Sequence, residues 1–213
     1  MSTVIVIAKE TLPGKVKTRL HPDLSYEDAA GVAAAALADT MLTVQALPAT
    51  RRILLFDGTV LPPWSEHFEI MPQTSGGLDE RIAAAFDAVT GRTVLIGMDT
   101  PQVTAAHLDA FFTATGEADA WMGPANDGGW WALGMEHPRG DLIRGVPMST
   151  DVTGAAQLVR LRGAGLRVEM LPTLTDIDTV DDALDVARTA PESRFALALT
   201  MCLTPARINQ DRS

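Results

Sequence analysis

The sequence predicts an α/β protein in which helices cover both faces of a mixed, mainly parallel sheet, a three-layer α/β/α arrangement. Short apolar runs alternate with helical patterns along most of the 213 residues. Hydrophobic residues make up 46% of the chain, which allows a substantial core and argues against disorder. The length, without an internal repeat or low-complexity linker, predicts one domain at about residues 1–190 and a C-terminal tail at 191–213.

The first half of the chain shows the alternation clearly. An uncharged, β-branched run predicts the first strand at residues 3–8. Ser25 can cap a helix over residues 26–47, with Asp28 near its positive end and Pro48 beyond its stop. Two further strands are predicted at 52–56 and 68–71, and a helix at 78–89.

The second half continues the same rhythm. Its predicted strands are residues 93–97, 118–123, 130–135 and 166–171, and its predicted helices are 104–115, 151–162 and 180–188. Thr179 can cap the last helix, with Asp182 three residues further on. The apolar stretch FALALTMCL in the tail is expected to pack on the domain or on a second subunit of a homodimer, its own domain being the default.

All three lysines of the chain lie in one short stretch, AKETLPGKVKTRL, after the first strand. They are Lys9, Lys15 and Lys17, and Arg19 follows them, in a chain of net charge −10. Compact ammonium groups suit phosphate oxygens, whereas arginine makes planar, bidentate contacts. A solvated surface loop is the alternative, but lysines would then be expected elsewhere too. The loop therefore predicts a site for a small anion.

Composition also excludes several classes of protein. The acidity and the single basic loop argue against a nucleic-acid binder. No apolar run approaches the roughly 20 residues of a membrane span and no signal peptide is visible, so a cytoplasmic protein without membrane contact is expected. One cysteine and four scattered histidines predict neither a disulfide nor a zinc site. There is no GxGxxG or Walker A sequence.

A carboxylate follows the strand TVLIG, at the sheet edge where open α/β folds bind ligands. This residue, Asp99, could hold Mg²⁺ with help from phosphate oxygens. The alternative is a turn aspartate that caps the next helix.

A second acidic group, TDIDTVDD, follows the last strand. If Asp176 and Asp178 are still extended, they lie on one face and Ile177 on the other. An acid-rich helix start explains the later aspartates of this group, and Asp178 is the better ligand candidate because it precedes the helix. Two carboxylate sources and one lysine loop predict a metal and polyphosphate site.

Two glycine-containing segments are further candidates. Asp127, Gly128, Gly129 and Trp130 form the centre of GPANDGGWWALG, where glycines allow close backbone approach and an aromatic ring can stack on a sugar or base. A simple hairpin turn is the alternative. Gln73, Gly76 and Gly77 precede a helix whose free N–H groups could meet an acceptor group, and Gln73 could read a base edge.

The order of these motifs resembles the DUF2064 family of nucleotide-diphospho-sugar transferases of glycosyltransferase A type. The motifs are LPGKVKTRL, LDERIAAAF, IGMDTP, GPANDGGWWALG, MSTDVT and DIDTVDD. The resemblance implies a Rossmann-like fold with a mixed sheet and supports a metal at Asp99. The lysine loop is also similar to that of 2-phospho-lactate guanylyltransferases and molybdenum-cofactor nucleotidyltransferases. In those enzymes the corresponding basic residues approach nucleotide phosphates, which carries over to Lys9, Lys15, Lys17 and Arg19.

The resemblance also bears on Asp178. Related nucleotidyltransferases place a late Asp or Asn of the metal site before a Thr-Pro pair, and here Asp178 precedes Thr179, with Val180 in place of proline. Two further departures affect base and acceptor recognition. The sequence Gly77-Leu78-Asp79 replaces the usual Asp-Leu-Gly, and Trp130 replaces a tyrosine and so lacks the phenol hydroxyl.

The expected activity is nucleotidyl transfer dependent on Mg²⁺ or Mn²⁺, in which a phosphate or hydroxyl of a small acceptor attacks a nucleoside triphosphate and pyrophosphate leaves. The principal catalytic candidates are Lys17, Asp99 and Asp127. Asp99 and Asp178 would hold the metal; Asp127, Gly128, Gly129 and Trp130 would bind the acceptor. The alternatives are glycosyl transfer from a nucleotide-diphospho-sugar, for which a DxD pattern is missing, and a noncatalytic nucleotide-binding module.

Overall fold

A seven-stranded sheet forms the centre of the molecule, in a computed structural model that describes residues 2–204. The strands are β1 (Ser2–Lys9), β2 (Arg51–Asp57), β3 (Glu69–Pro72), β4 (Arg92–Gly97), β5 (Ala120–Pro124), β6 (Trp130–Met135) and β7 (Val168–Met170). They are arranged in the order β3-β2-β1-β4-β6-β5-β7. Strand β6 runs antiparallel to both neighbours, and the other neighbouring pairs are parallel. The predicted mixed, mainly parallel sheet is confirmed.

Residues 2–204 contain six α-helices. They are α1 (Tyr26–Ala46), α2 (Leu78–Asp87), α3 (Asp109–Thr113), α4 (Thr153–Gly163), α5 (Val180–Thr189) and α6 (Arg194–Leu203). Side chains of β1 alternate between the two faces: Val4 and Val6 join a core with α1 and α3, whereas Ile5 joins a second core with α2 and α4. Because both faces of β1 and β4 are covered, these strands are apolar almost throughout, as the sequence shows.

The predicted helix caps are present. The Ser25 hydroxyl accepts a hydrogen bond from the backbone N–H of Asp28 at 3.0 Å, at the start of α1. Thr179 and Asp182 form a capping box at the start of α5, each side chain accepting from the backbone N–H of the other. These local bonds satisfy N–H groups that the helices leave free, and they fix where α1 and α5 begin.

Helix α1 corrects one expectation. By length and composition it passes for a membrane span, although no apolar run of that length was expected from the sequence. In the fold, 61% of its most apolar window is buried inside the protein, because α1 packs on the sheet and on α6. Its alanine-rich surface fits close packing in a core, and this one helix is weak evidence for a membrane.

Two other segments differ from the sequence prediction. The helix predicted at 104–115 is a 3₁₀ turn at Ala105–Leu108 followed by the short α3, because the backbone of Leu108 departs from α geometry. The predicted tail contains α6, which packs on α1 and α5 through Phe195 and Leu199. The Asp39 carboxylate on α1 accepts the backbone N–H of Phe195 at 2.8 Å. Residues 205–213 of that tail lie outside the described residues.

One edge of the sheet collects most of the candidate residues. Strands β1, β2, β4, β5 and β7 run in one direction, so their carboxyl ends meet there. Strand β6 runs the other way, so its first residue, Trp130, lies at the same edge. Topology alone therefore brings together the lysine loop after β1, Asp99 after β4, the glycine hairpin between β5 and β6, and the acidic segment after β7.

Candidate functional site

An open cleft of about 630 Å³ lies along this edge of the sheet. The predicted site residues that line it are Lys9, Arg19, Gln73, Asp99, Asp127, Gly129, Trp130 and Asp178. Lys17 lies in a smaller adjoining cavity that shares Lys9, Arg19, Asp99 and Asp178 with the cleft. Lys15, Gly76, Gly77 and Gly128 line neither. The structure thus brings together the basic loop and both proposed metal carboxylates.

Lys17 turns inward from the loop. Its Nζ lies 3.0 Å from Asp99 Oδ1 and 3.7 Å from Asp178 Oδ1, and it donates a hydrogen bond to the carbonyl of Ile177. Only 8% of the side chain is exposed. The backbone of Lys17 is left-handed (φ 47°, ψ 37°), a conformation that disfavours a non-glycine residue by about 1 kcal/mol. The loop is therefore held in a specific shape that directs this one ammonium group at the carboxylates.

The side chain of Arg19, unlike that of Lys17, is directed outward. Its guanidinium forms an ion pair of 2.8 Å with Asp178 Oδ2, but 74% of the side chain is exposed at the cleft. Lys9, at the end of β1, is also exposed there. Of the four basic residues in the loop, Lys9 and Arg19 are thus directed at the open cleft and Lys17 at the protein, whereas Lys15 lines neither cavity.

The acidic segment after β7 divides between two environments. Asp176 and Asp178 line the cleft, whereas Ile177 is buried in the core between α1, α5 and α6. The backbone N–H of Ile177 donates to the Asp99 carbonyl at 3.2 Å, which ties this segment to the end of β4. As expected for an extended chain, Asp176 and Asp178 lie on one face and Ile177 on the other, although residues 175–178 pair with no strand.

Asp176 is the carboxyl group most affected by its surroundings. Burial, the largest cause, and then the carboxylates of Asp99 and Asp127 raise its pKa from 3.8 to about 7, while the ammonium of Lys17 acts in the opposite direction. Its Oδ1 is buried and has no hydrogen-bond partner among the described residues. A buried acceptor without a partner destabilises the fold. Carboxyl groups that are buried beside other charges in a cleft are typical of functional sites, where such a cost is retained for the sake of activity.

Asp176→Asn is expected to stabilise the metal-free protein at about pH 8. The folded pKa of Asp176 exceeds the unfolded value, so the folded state binds the extra proton, and stability falls as the pH rises from about 4 to about 7. Asparagine does not ionise, so the variant avoids the cost of burying the charged carboxylate. Its unfolding free energy should exceed that of wild type by on the order of 2 kcal/mol above pH 7 and should differ little below pH 4. Thermal unfolding in EDTA at both pH values measures it, and a variant that is less stable than wild type at pH 8 contradicts the assignment.

The glycine segment between β5 and β6 is both a hairpin turn and a wall of the cleft. Asp127 Oδ1 accepts the backbone N–H of Gly129 at 2.8 Å, which fixes the carboxylate in the turn. The Gly128 carbonyl accepts the N–H of Gly154 at 2.8 Å, and so the hairpin is bound to the start of α4. Trp130 lines the cleft, and its indole N–H is buried without a partner among residues 2–204.

Gln73 lines the cleft but its amide is engaged. Nε2 donates to the carbonyls of Ala8 at 2.9 Å and Leu55 at 3.2 Å, and Oε1 accepts from Arg81 at 3.2 Å. The structure therefore assigns both amide hydrogens of Gln73 to the sheet, which corrects the expectation that they read a base edge. Gly76, also predicted to bind nucleotide, accepts the Nε–H of Arg81 through its carbonyl at 3.0 Å.

Sequence reasoning missed several residues of the cleft. Arg81 on α2 pairs with Asp57, at the end of β2, at 3.0 Å, and both line the cleft. The segment 148–151 and Thr153 also line it. The edge rule that selected Asp99 could have selected Asp57, because both end parallel strands. The segment 148–153 was visible only as the motif MSTDVT, to which no role was given.

Among residues 2–204, no three His, Cys, Asp or Glu side chains converge into a ready-made metal site. Asp99 and Asp178 instead share the Lys17 ammonium, and Asp176 contributes an unpartnered oxygen close by. Magnesium sites that rely on substrate phosphates commonly have only one or two protein carboxylates.

Several solved structures share this fold. A candidate nucleotide-diphospho-sugar transferase from Desulfovibrio desulfuricans G20 is 25% identical, with a TM-score of 0.80 over 94% of each chain. A nucleotidyl transferase from Methanothermobacter thermautotrophicus is 14% identical, with a TM-score of 0.57 over 91% of this chain and 99% of its own. Rv0371c from Mycobacterium tuberculosis H37Rv, in complex with manganese, is 21% identical, with a TM-score of 0.51 over 88% and 97%. No curated protein matches the chain.

The sheet order and these similarities define the class of the protein. The chain has the fold of nucleotidyl and nucleotide-diphospho-sugar transferases. This confirms the predicted fold and, at the level of the fold, the predicted class of enzyme. The chain belongs to the DUF2064 family, described as an uncharacterized protein conserved in bacteria, whose sequence pattern matches residues 29–150. The match includes Asp99 and the glycine hairpin. The lysine loop and Asp178 lie outside it.

Proposed function

We propose that this chain is a metal-dependent nucleotidyltransferase that transfers a nucleotide from a nucleoside triphosphate to a small phosphorylated or hydroxylated acceptor. One observation carries the proposal: the basic loop after β1 and the carboxylates Asp99 and Asp178 converge on one cleft at the carboxyl edge of the sheet. A triphosphate needs cations around its oxygens, and a metal that bridges it to the protein needs carboxylates.

The donor set fits a hard divalent cation. Asp99 and Asp178 would hold Mg²⁺ or Mn²⁺, and the unpartnered, buried Oδ1 of Asp176 supplies a third oxygen in the same corner. When bound, the metal would neutralise the charge that develops on the transferring phosphate and on the leaving pyrophosphate. A relative of the same fold binds manganese, which agrees with this choice of cation.

The side chains that line the cleft divide the remaining tasks between them. Lys9 and Arg19 are exposed where the triphosphate would lie and would bind its oxygens. Asp127 and Trp130 also line the cleft and would bind the acceptor. The Asp127 carboxylate, fixed by the N–H of Gly129, would accept the proton of an acceptor hydroxyl. Little covalent chemistry is required of the chain, because positioning and charge stabilisation supply most of the catalysis in phosphoryl-type transfer.

Glycosyl transfer from a nucleotide-diphospho-sugar is the second candidate. The similar structure with a TM-score of 0.80 is described as a candidate enzyme of that type, and the same metal carboxylates would serve it. Asp99 is followed by Thr100 and Pro101, so the DxD pair usual in such enzymes is missing. For either activity we place the enzyme in the cytoplasm, as a single domain over residues 1–190 extended by the C-terminal segment.

Thermal unfolding with Mn²⁺ and a panel of nucleotides tests the proposal. Stabilisation by nucleoside triphosphates, and not by nucleotide sugars, is the expected result, because bound ligand stabilises the folded state. Stabilisation by nucleotide sugars alone would replace the proposal with glycosyl transfer. No shift with either class, at millimolar ligand, would contradict nucleotide binding at this site and with it the proposal.

Arg19→Gln is expected to raise the KM for the triphosphate about tenfold, the effect of losing one charge-assisted hydrogen bond. The melting temperature should change little, because the side chain is 74% exposed. Arg188→Gln is the matched control: that side chain is 73% exposed on α5, where it pairs with Asp185. Equal KM values in the two variants would remove Arg19 from the phosphate site.

A further inference from the structure

The ammonium of Lys17 lies where a cation between the two proposed metal carboxylates would lie. Nζ is 3.0 Å from Asp99 and 3.7 Å from Asp178, and the side chain is almost fully buried. We infer that Lys17 is the resident cation of the metal-free site, and that the metal displaces it when triphosphate oxygens become available to the ammonium. The inference rests on the proposed function, because it takes Asp99 and Asp178 as the metal carboxylates.

Electrostatics explains why a cation is needed there before any ligand binds. Asp99, Asp127, Asp176 and Asp178 all line the same cleft, and Asp99 and Asp178 lie 3.0 and 3.7 Å from the one ammonium of Lys17. Like charges gathered in a partly buried corner repel, and the ammonium of Lys17 offsets part of that repulsion. Arg19 offsets another part at Asp178, but from the exposed side.

The same geometry restricts entry of the metal. An ammonium and a divalent ion cannot share the oxygens of Asp99 and Asp178, because two cations a few ångströms apart repel strongly in a partly buried site. Free metal must therefore displace Lys17, and without a ligand the ammonium would leave three oxygen contacts, including the Ile177 carbonyl. Free metal should bind weakly.

A bound triphosphate changes this balance. Lysine carries a compact charge with three donors on a flexible four-carbon stem, so its ammonium can turn from carboxylate to phosphate oxygens. Lys9 and Arg19, which line the adjoining cavity, would hold the phosphates within its reach. Metal and triphosphate then favour each other's binding, a positive coupling that the two carboxylates and one lysine create. Lys17 acts here as a positioning residue for the carboxylates and as a gate on metal binding.

Binding of Mn²⁺ without nucleotide, followed by electron paramagnetic resonance and by calorimetry, tests the inference. Lys17→Met, which keeps the length of the side chain and removes its charge, is expected to bind free Mn²⁺ at least about tenfold more tightly than wild type. Lys17→Arg, which keeps the charge, should bind as weakly as wild type. Arg162→Met, at the exposed end of α4, removes the same charge far from the cleft and should also bind like wild type.

Three outcomes would overturn the inference. If Lys17→Met binds Mn²⁺ no more tightly than wild type while Mn²⁺ still binds with a triphosphate, Lys17 is not the resident cation and the proposed function stands. If Mn²⁺ binds to neither protein with or without triphosphate, the metal site itself fails. A gain in Lys17→Met that disappears in the double variant with Asp99→Asn supports the inference, and a gain that survives locates the metal elsewhere and contradicts it.

Discussion

Asp99→Asn is expected to lower kcat/KM for nucleotidyl transfer by at least about 10²-fold, the effect of removing one charged group that acts on the transferring phosphate. Asp99 is the carboxylate that the topology fixes most firmly, two residues beyond the end of β4 and 3.0 Å from Lys17. Asparagine keeps the size and one oxygen but removes the charge, so metal affinity should fall while the fold is retained.

The matched control for this variant is Asp109→Asn. Asp109 is an exposed aspartate in the first turn of α3 and does not line the cleft. Its variant should retain wild-type kcat/KM and metal affinity, and both variants should unfold cooperatively in a thermal scan. Wild-type turnover in Asp99→Asn would show that the metal site is elsewhere.

Gly128→Ala is expected to cost at least about 3 kcal/mol of unfolding free energy and to deform the acceptor side of the cleft. Gly128 has φ +89°, and a Cβ there would lie 2.1 Å from the carbonyl oxygen of Asp151. That oxygen belongs to the backbone that leads into α4, so it cannot give way as a flexible side chain would. The hairpin or α4 must shift, and with it Asp127 and the lining segment 148–151. Denaturant unfolding measures the loss.

Gly165→Ala is the control that separates the effect of the steric clash from the effect of the left-handed backbone. Gly165 has a similar φ of +79°, but a Cβ there would meet no atom of the described chain within 4 Å. This variant should lose only about 1 kcal/mol, the cost of a left-handed backbone for alanine. Equal losses in the two variants would show that contact between the hairpin and α4 does not hold the wall of the cleft.

Local patterns explain how much of the fold could be predicted. The apolar runs of β1 and β4, the Ser25 cap and the Thr179 capping box are all properties of a few adjacent residues. The edge rule for parallel strands then located Asp99 and the lysine loop at one side of the sheet. The apolar stretch of the tail was expected to pack on its own domain by default, but neither helix α6 nor its partners on α1 and α5 were predicted, because no local pattern names the surface that Phe195 and Leu199 contact.

Contacts between distant segments explain what the sequence could not provide. Lys17 was expected to reach outward to phosphate, but its partner Asp178 lies 161 positions away along the chain, and its inward direction depends on a left-handed backbone. Similarly, the Gln73 amide is engaged by carbonyls of β1 and β2, which no local pattern reveals. Asp176 was visible in the sequence, but its burial among other carboxylates was not.

A crystal structure of the protein with Mn²⁺ and a nonhydrolysable nucleoside triphosphate, using anomalous scattering from manganese, tests the proposed site most directly. The predicted result is a manganese peak on the carboxylates of Asp99 and Asp178, with the phosphates on Lys9 and Arg19 and the ammonium of Lys17 turned to a phosphate oxygen. Manganese away from both carboxylates, or phosphates bound outside the cleft, would contradict the proposed nucleotidyltransferase site.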